Sequence, residues 1–317
     1  MPTSSPPRRD EVGRDEVDRD EVGGHGSMTL DPVELRDQLD QVDYLVDDGL
    51  VTALFLAQAT GQPLLLEGEP GVGKTSAAKA LAEVLGGPLI RLQCYEGISA
   101  SEALYEWNYP AQLLSIRAAE AGKQHVATTD LFRQEFLLDR PLLQAIRHEG
   151  PAPAVLLIDE VDRADDEFEA LLLEFLAESA ITIPEIGTIA ASRPPVVVLT
   201  SNRSRELHDA LKRRCYYHWI EYPDVQRAAE VVRRRVPSSA DPLVAVATAF
   251  VSNARALDLD KAPGLAEAID WVSALSVLGI GRLDRTSALA TIGAVAKTPD
   301  DLDVLRAAID DGTLEVA

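Results

Sequence analysis

Short apolar runs alternate along the chain with longer stretches whose apolar residues recur every three or four positions. The runs are Leu64 to Leu66, Leu89 to Leu92, Ala154 to Ile158, Val196 to Leu199 and Tyr217 to Ile220. Each is short and mostly apolar, interrupted only by Arg91 in the second and His218 in the fifth, the pattern of strands in a sheet covered on both faces. The stretches between them read as amphipathic helices, so the sequence predicts a parallel five-stranded sheet covered by helices, a three-layer α/β core. Ahead of it, Asp31-Pro32 supplies an N-cap and a first-turn proline, and Leu35, Leu39 and Val42 follow at helical spacing. A second helix over Val51 to Ala59 ends near Gly61. Beyond Pro223 the strand signal stops. Segments 224–236, 241–257, 263–278, 283–296 and 300–310 all read as helices. The expected division is therefore an α/β core over 28–223 and an all-helical domain over 224–317.

Residues 1–27 carry a five-residue repeat, with Arg-Asp-Glu-Val starting at Arg9, Arg14 and Arg19. That period fits neither helix nor strand, and one Val per repeat buries too little to offset the entropy of ordering. A disordered acidic tail is expected, either a solvated leader or a docking segment. Met28 stands directly before the first helix and is a candidate start.

Composition adds one constraint. Of 317 residues, 30 are Lys or Arg and 52 are Asp or Glu, a net charge of −22. Such a surface repels nucleic-acid phosphates and anionic membranes, which disfavours a generic DNA-binding role. Two cysteines, Cys94 and Cys215, cannot build a disulfide framework and fit a reducing compartment. No apolar run has the length of a membrane span and the N-terminus lacks a signal-peptide pattern, so a soluble cytoplasmic protein is expected. The five histidines show no metal-ligand spacing.

The chemistry begins after the first run. Gly68-Glu69-Pro70-Gly71-Val72-Gly73-Lys74-Thr75 is a complete G-x-x-x-x-G-K-T loop, with a strand before it and a helix from Thr75 to Leu85 after it. Glycines let successive amides converge on one phosphate, and the helix N-terminus adds favourable dipole charge. Lys74 is expected to reach the β- and γ-phosphates and the Thr75 hydroxyl to ligate Mg²⁺, with Ser76 completing the loop. The third run ends in Asp159-Glu160. A carboxylate at that strand tip can hold the Mg²⁺ shell, and its neighbour can deprotonate an attacking water. The fourth run ends in Thr200-Ser201-Asn202, where Asn202 is either a water-positioning side chain or a plain turn residue. Glu206 to Arg214 reads as a helix ending in Lys212-Arg213-Arg214. Its cations either cap the helix dipole or supply an arginine finger, Arg214 ahead of Arg213.

In this order the elements resemble the AAA+ ATPases. The loop matches Walker A, Val155 to Glu160 matches Walker B, Asn202 falls at sensor 1 and Arg214 at the finger position. In Ala210-Leu211-Lys212-Arg213-Arg214-Cys215 a Cys stands where the family pattern has an aromatic. Within AAA+ the chain looks like the MoxR branch. Segment Tyr105 to Pro110 lies where that branch carries a helix-2 insert, and Ile181 to Ile189 alternates like its second, hairpin insert. Gln93-Cys94-Tyr95-Glu96-Gly97 and Glu106-Trp107-Asn108-Tyr109-Pro110 look like the CoxD-like subgroup, linked to carbon monoxide dehydrogenase maturation. One departure is clear: the branch has a sensor-2 Arg directly after a Pro, but here Pro263 is followed by Gly264, with Lys261 the nearest cation.

The resemblance implies an ATP- and Mg²⁺-dependent chaperone ATPase working as a hexameric ring, with the helical region as its lid. It further implies a von Willebrand factor A-domain partner and a metalloenzyme client, a molybdenum hydroxylase receiving its cofactor. Two other readings are a nucleotide-gated scaffold with negligible turnover and a DNA-directed motor. Trp107 and Tyr109 are either a partner-binding tip or packing for the insert. Arg233-Arg234-Arg235 reads as a solvated helix end.

Overall fold

The computed structural model describes residues 31–122 and 127–316. The repeat tail and its boundary at residue 27 lie outside the described residues.

Helix α1 (Pro32–Gln41) starts on a capping box: Asp31 accepts from the amides of Val33 and Glu34, and Glu34 reaches back to the Asp31 amide. Helix α2 (Asp48–Thr60) is capped by Asp47 and stops at Gly61 in the left-handed conformation. Strand β1 (Leu64–Gly68) leads through the glycine loop into α3 (Lys74–Leu85) and β2 (Leu89–Gln93). A small layer then intervenes: α4 (Ala100–Ala103), β3 (Tyr105–Trp107), α5 (Tyr109–Ala121), β4 (Leu137–Asp139) and α6 (Pro141–Ile146). Next come β5 (Val155–Asp159), α7 (Asp166–Glu178), the hairpin β6 (Ala180–Ile183) and β7 (Gly187–Ala190), β8 (Val196–Ser201), α8 (Asp209–Lys212) and β9 (Tyr216–Ile220). Helices α9 (Val225–Arg235), α10 (Asp241–Ala254), α11 (Leu265–Val277), α12 (Arg285–Thr291) and α13 (Pro299–Asp310) complete the described chain.

The main sheet has the order β2-β5-β8-β1-β9, and every pairing in it is parallel. Successive residues of a strand point to opposite faces. Leu65, Leu156, Ile158, Val197 and Leu199 therefore pack on one side with α6 and α7, and Leu64, Leu66, Val155, Leu157 and Val198 on the other with α1, α2 and α3. The parallel five-stranded sheet expected from the strand pattern is observed, and with the glycine loop it makes the P-loop AAA+ fold that the resemblance implied. A third buried cluster, centred on Phe250, Trp271 and Leu305, is built from residues after Ile220.

Some local readings change. Of the segment 206–214 only Asp209–Lys212 is helical. Arg205 pulls the preceding chain onto α7, pairing with buried Glu169 and with the Ala164 carbonyl. Residues 283–296 divide into α12 and one 3₁₀ turn over Ile292–Ala294. Trp107 is buried at 7% exposure and meets Phe132 edge-on at 5.2 Å, whereas Tyr109 is 64% exposed. The aromatic pair thus splits between packing and surface. Arg234 is not simply solvated either: it bonds Asp40 at 2.8 Å, joining α9 to α1. Among the described residues no helix is long and apolar enough to cross a membrane.

Candidate active site

Three neighbouring strands, β5, β8 and β1, end at the same edge of the sheet. In a parallel sheet their C-terminal tips share one crevice, which brings Asp159-Glu160, Thr200 to Asn202 and the glycine loop together.

The loop is shaped by Gly71 and Gly73, whose φ values of +79° and +99° suit glycine alone. It turns the chain straight into α3, whose first residue is Lys74. The Lys74 ammonium is buried and donates to the carbonyls of Gly68 and Glu69, both at 2.8 Å. Desolvation holds its pKa below the usual lysine range, opposed by the fields of Asp162, Asp159, Glu160 and Glu69. Beneath the loop, buried Glu67 accepts from the Ser201 hydroxyl and the Tyr217 phenol, each at 3.2 Å, tying β1 to β8 and β9.

The Thr75 hydroxyl lies 3.1 and 3.3 Å from the two Asp159 carboxylate oxygens. Thr200 donates to Asp159 at 2.5 Å and accepts from the Glu160 amide at 2.9 Å. Thr75 and Asp159 present hard oxygen donors on one spot, which fits Mg²⁺ with phosphate and water completing the shell. Among the described residues no cluster of three or more His, Cys, Asp or Glu is placed to hold a metal alone. Arg91 also bonds Asp159, at 2.9 and 2.6 Å, and balances its charge.

Glu160 sits in the left-handed region at φ +55°, a conformation that costs a non-glycine residue on the order of 1 kcal/mol or more. Its carboxylate accepts from the Gln93 amide and from Arg163, each at 3.1 Å. Asn202 follows β8, partly buried; its backbone amide donates to Asp162 at 3.2 Å. Asp162 also takes the Ser204 amide and hydroxyl, both at 2.7 Å, and so fixes the loop that carries Asn202. The sequence reading passed over Gln93 as a site residue and overlooked Asp162 altogether. The third acid of Asp159-Glu160-Val161-Asp162 was the available signal.

Arg214 does not join this cluster. It precedes β9, whose first residue Tyr216 pairs with Leu64 at the start of β1, so the length of β1 separates it from the glycine loop. Five residues at about 3.3 Å each make that separation roughly 15 Å. Arg213 and Arg214 are both exposed, and Arg214 donates to the Leu173 carbonyl at 3.1 Å. Cys215 fills the aromatic's place by burying its thiol against Leu211.

No local pattern in the chain foretells the cavity beside the loop. About 760 Å³ in volume, it lies between the α1–α2 turn (Asp43, Tyr44, Leu45), Gly71 to Gly73, the β9 exit (His218 to Tyr222) and α11 (Leu265, Ala266, Ile269). It continues from the glycine loop, is lined by apolar side chains such as Val72, Ile220 and Leu265 together with charged ones such as Asp47, Asp224 and Arg227, and has room for a nucleoside.

A profile of the AAA domain, dynein-related subfamily, matches residues 63–215. Residues 63–215 are thus similar to an AAA domain. The match covers the glycine loop, both strand-tip carboxylates, Asn202 and Arg214. YehL of Escherichia coli strain K12 is 27% identical over 196 residues, 59% of this chain and 49% of that protein. The chaperone MoxR1 of Mycobacterium tuberculosis is 27% identical over 194 residues, 59% of this chain and 44% of its own length. The chain thus spans about half the length of these curated relatives. Among solved structures, the RuvB Holliday junction branch migration motor of Thermotoga maritima has a TM-score of 0.46 at 18% identity, covering 88% of this chain and 77% of that one.

Proposed function

We propose that this protein is an ATP hydrolase of the MoxR type, assembled as a hexameric ring, that uses turnover to remodel a client protein. The observation that carries the reading is the meeting of the Thr75 hydroxyl and the Asp159 carboxylate beside the glycine loop, across 84 residues of sequence. In this reading the core runs over 28–223, the helical lid over 224–317, and residues Gly68 to Ser76 cradle the phosphates. Lys74 exchanges two carbonyl partners for phosphate oxygens when nucleotide enters. Mg²⁺, held by Thr75 and Asp159, supplies charge neutralisation on the phosphates when bound. Glu160 takes the proton of the attacking water, and Asn202 orients that water. Arg214, remote from its own loop, serves the neighbouring subunit's site.

Phosphate release by the assembled protein tests this directly. Lys74→Ala should lose nucleotide binding, and Glu160→Gln should bind ATP without hydrolysing it. ATP binding with no phosphate release by the parent protein would favour the scaffold reading instead.

The name of the relative MoxR1, a chaperone, supports a protein client. The finer assignment to the CoxD-like subgroup rests on Gln93 to Gly97 and Glu106 to Pro110. There the client is a molybdenum hydroxylase acquiring its metal cofactor, aided by a von Willebrand factor A-domain partner. Metal content of the apo-hydroxylase, with and without the ATPase and partner, is the test.

A further inference from the structure

The helical region has no Arg after Pro263, and the structure shows a physical reason. Gly264 is buried against the glycine loop. A Cβ at this position would lie 2.9 Å from the Pro70 carbonyl oxygen and 3.4 Å from the Gly71 Cα, too close for any side chain in this arrangement. The Gly264 amide is already taken by Glu267, at 2.9 Å. The start of α11 therefore rests on the loop backbone directly.

A cation reaches this junction from another helix. Arg255 directly follows α10 and touches three separate elements. One terminal nitrogen pairs with the Glu69 carboxylate in the glycine loop. The other donates to the Pro263 carbonyl at 2.8 Å, just ahead of α11. The guanidinium plane lies 4.0 Å from the centre of the Tyr222 ring, where the sheet gives way to α9. Lys261, nearer in sequence to Pro263, is exposed, and its backbone amide is turned to Asp301 at 3.3 Å.

We propose that Arg255 is the positioning residue that couples the helical region to the glycine loop, in place of a cation on α11. The inference rests on the nucleotide-binding reading above. A continuous chain of contacts carries the coupling: Lys74 to the Glu69 carbonyl at 2.8 Å, the Glu69 carboxylate to Arg255, and Arg255 to the Pro263 carbonyl. Phosphate drawing Lys74 away from Glu69 alters the first link, and the shift passes to α11. Arg255 also neutralises a carboxylate beside the triphosphate position, which would otherwise repel the ligand. The Arg255 side chain is mostly buried, whereas Glu69 is half exposed, so solvent still screens the pair in part. Only a planar, forked cation can stack on Tyr222 while donating along two edges; lysine cannot.

The test is a double-mutant cycle of Glu69→Gln and Arg255→Gln, with Arg255→Lys alongside. Affinities for ADP and a non-hydrolysable ATP analogue are measured by titration, and hydrogen exchange of the α11 amides with and without the analogue. Arg255→Gln should weaken the analogue about tenfold, ADP less, and abolish nucleotide-induced protection of α11. Adding Glu69→Gln should restore part of the affinity but none of the protection. Arg255→Lys should keep much of the affinity and lose the protection. Parent-like behaviour of Arg255→Gln, or strictly additive losses in the cycle, overturns the coupling role. So does exchange raised equally in α10, α11 and α13 without nucleotide, which would make Arg255 a fold-holding residue only. A parent protein that binds neither nucleotide removes the site reading and the coupling with it; binding by the parent with any of the other adverse results removes the coupling alone.

Discussion

The Gln93 side-chain amide donates to Glu160 at 3.1 Å, and Arg163 holds the same carboxylate oxygen from the other side at the same distance. Residues from the tips of β2 and β5 thus restrain the group assigned to activate water. These two hydrogen bonds must yield before the carboxylate can turn to a water. Gln93→Ala should raise the basal ATPase rate several-fold, because one net hydrogen bond of about 1 kcal/mol no longer opposes release of Glu160. A steady-state phosphate assay checks it; a fall in rate would mean that Gln93 aims Glu160 productively.

Asp162 organises the loop bearing Asn202 through bonds to the Asn202 amide and to the amide and hydroxyl of Ser204. Asp162→Ala leaves those donors without their acceptor in a partly buried loop. The expected outcome is a loss of about 2–3 kcal/mol in stability by denaturant unfolding. Turnover should fall more than nucleotide affinity, since the disturbed loop positions water rather than phosphate.

Arg214 lies at the far end of β1 from its own glycine loop and is exposed. Arg214→Ala should cost about a thousandfold in rate with its own nucleotide affinity intact. Mixed with Glu160→Gln under subunit exchange, it should regain measurable hydrolysis. With equal random mixing, roughly a quarter of interfaces join an intact finger to an intact base. No recovery in rings shown to contain both variants would sink the trans assignment. Arg213→Ala run in parallel identifies which of the two arginines is required.

Burial pushes the thiols of Cys94 and Cys215 up from 9.0 to about 12; the nearby Asp159, Asp162 and Glu160 add to the shift at Cys94. Both should resist an aromatic disulfide reagent at pH 7 in the native protein and react at once in denaturant. Between about pH 9 and 12 the unfolded chain loses thiol protons that the folded chain keeps. Stability from this source is therefore complete below pH 9 and declines as pH rises toward 12. Denaturant midpoints in that range, with Cys94→Ala and Cys215→Ala as controls, measure it.

What the sequence determined by itself is local chemistry. The glycine loop, its flanking strand and helix, and the five apolar runs are written in contiguous residues. Their conformations follow from backbone freedom, capping and burial on two sheet faces. The cap at Asp31 and the hairpin over Ile181 to Ile189 are legible for the same reason, whereas the start of α2 at Asp48 on the Asp47 cap, ahead of the apolar run from Val51, is not. The tertiary structure decided everything that depends on which tips and helix ends meet. Thr75 reaches Asp159 because β8 lies between β1 and β5, a strand order that no local pattern records. Trp107 became core because β4 pairs with β3. The cavity beside the loop has walls drawn from four separate segments. Local sequence leads to the expectation of a cation after Pro263, but Gly264 stands there because the glycine loop presses too closely to admit a side chain, and the residue that pairs with Glu69 of the loop is Arg255, distant in sequence.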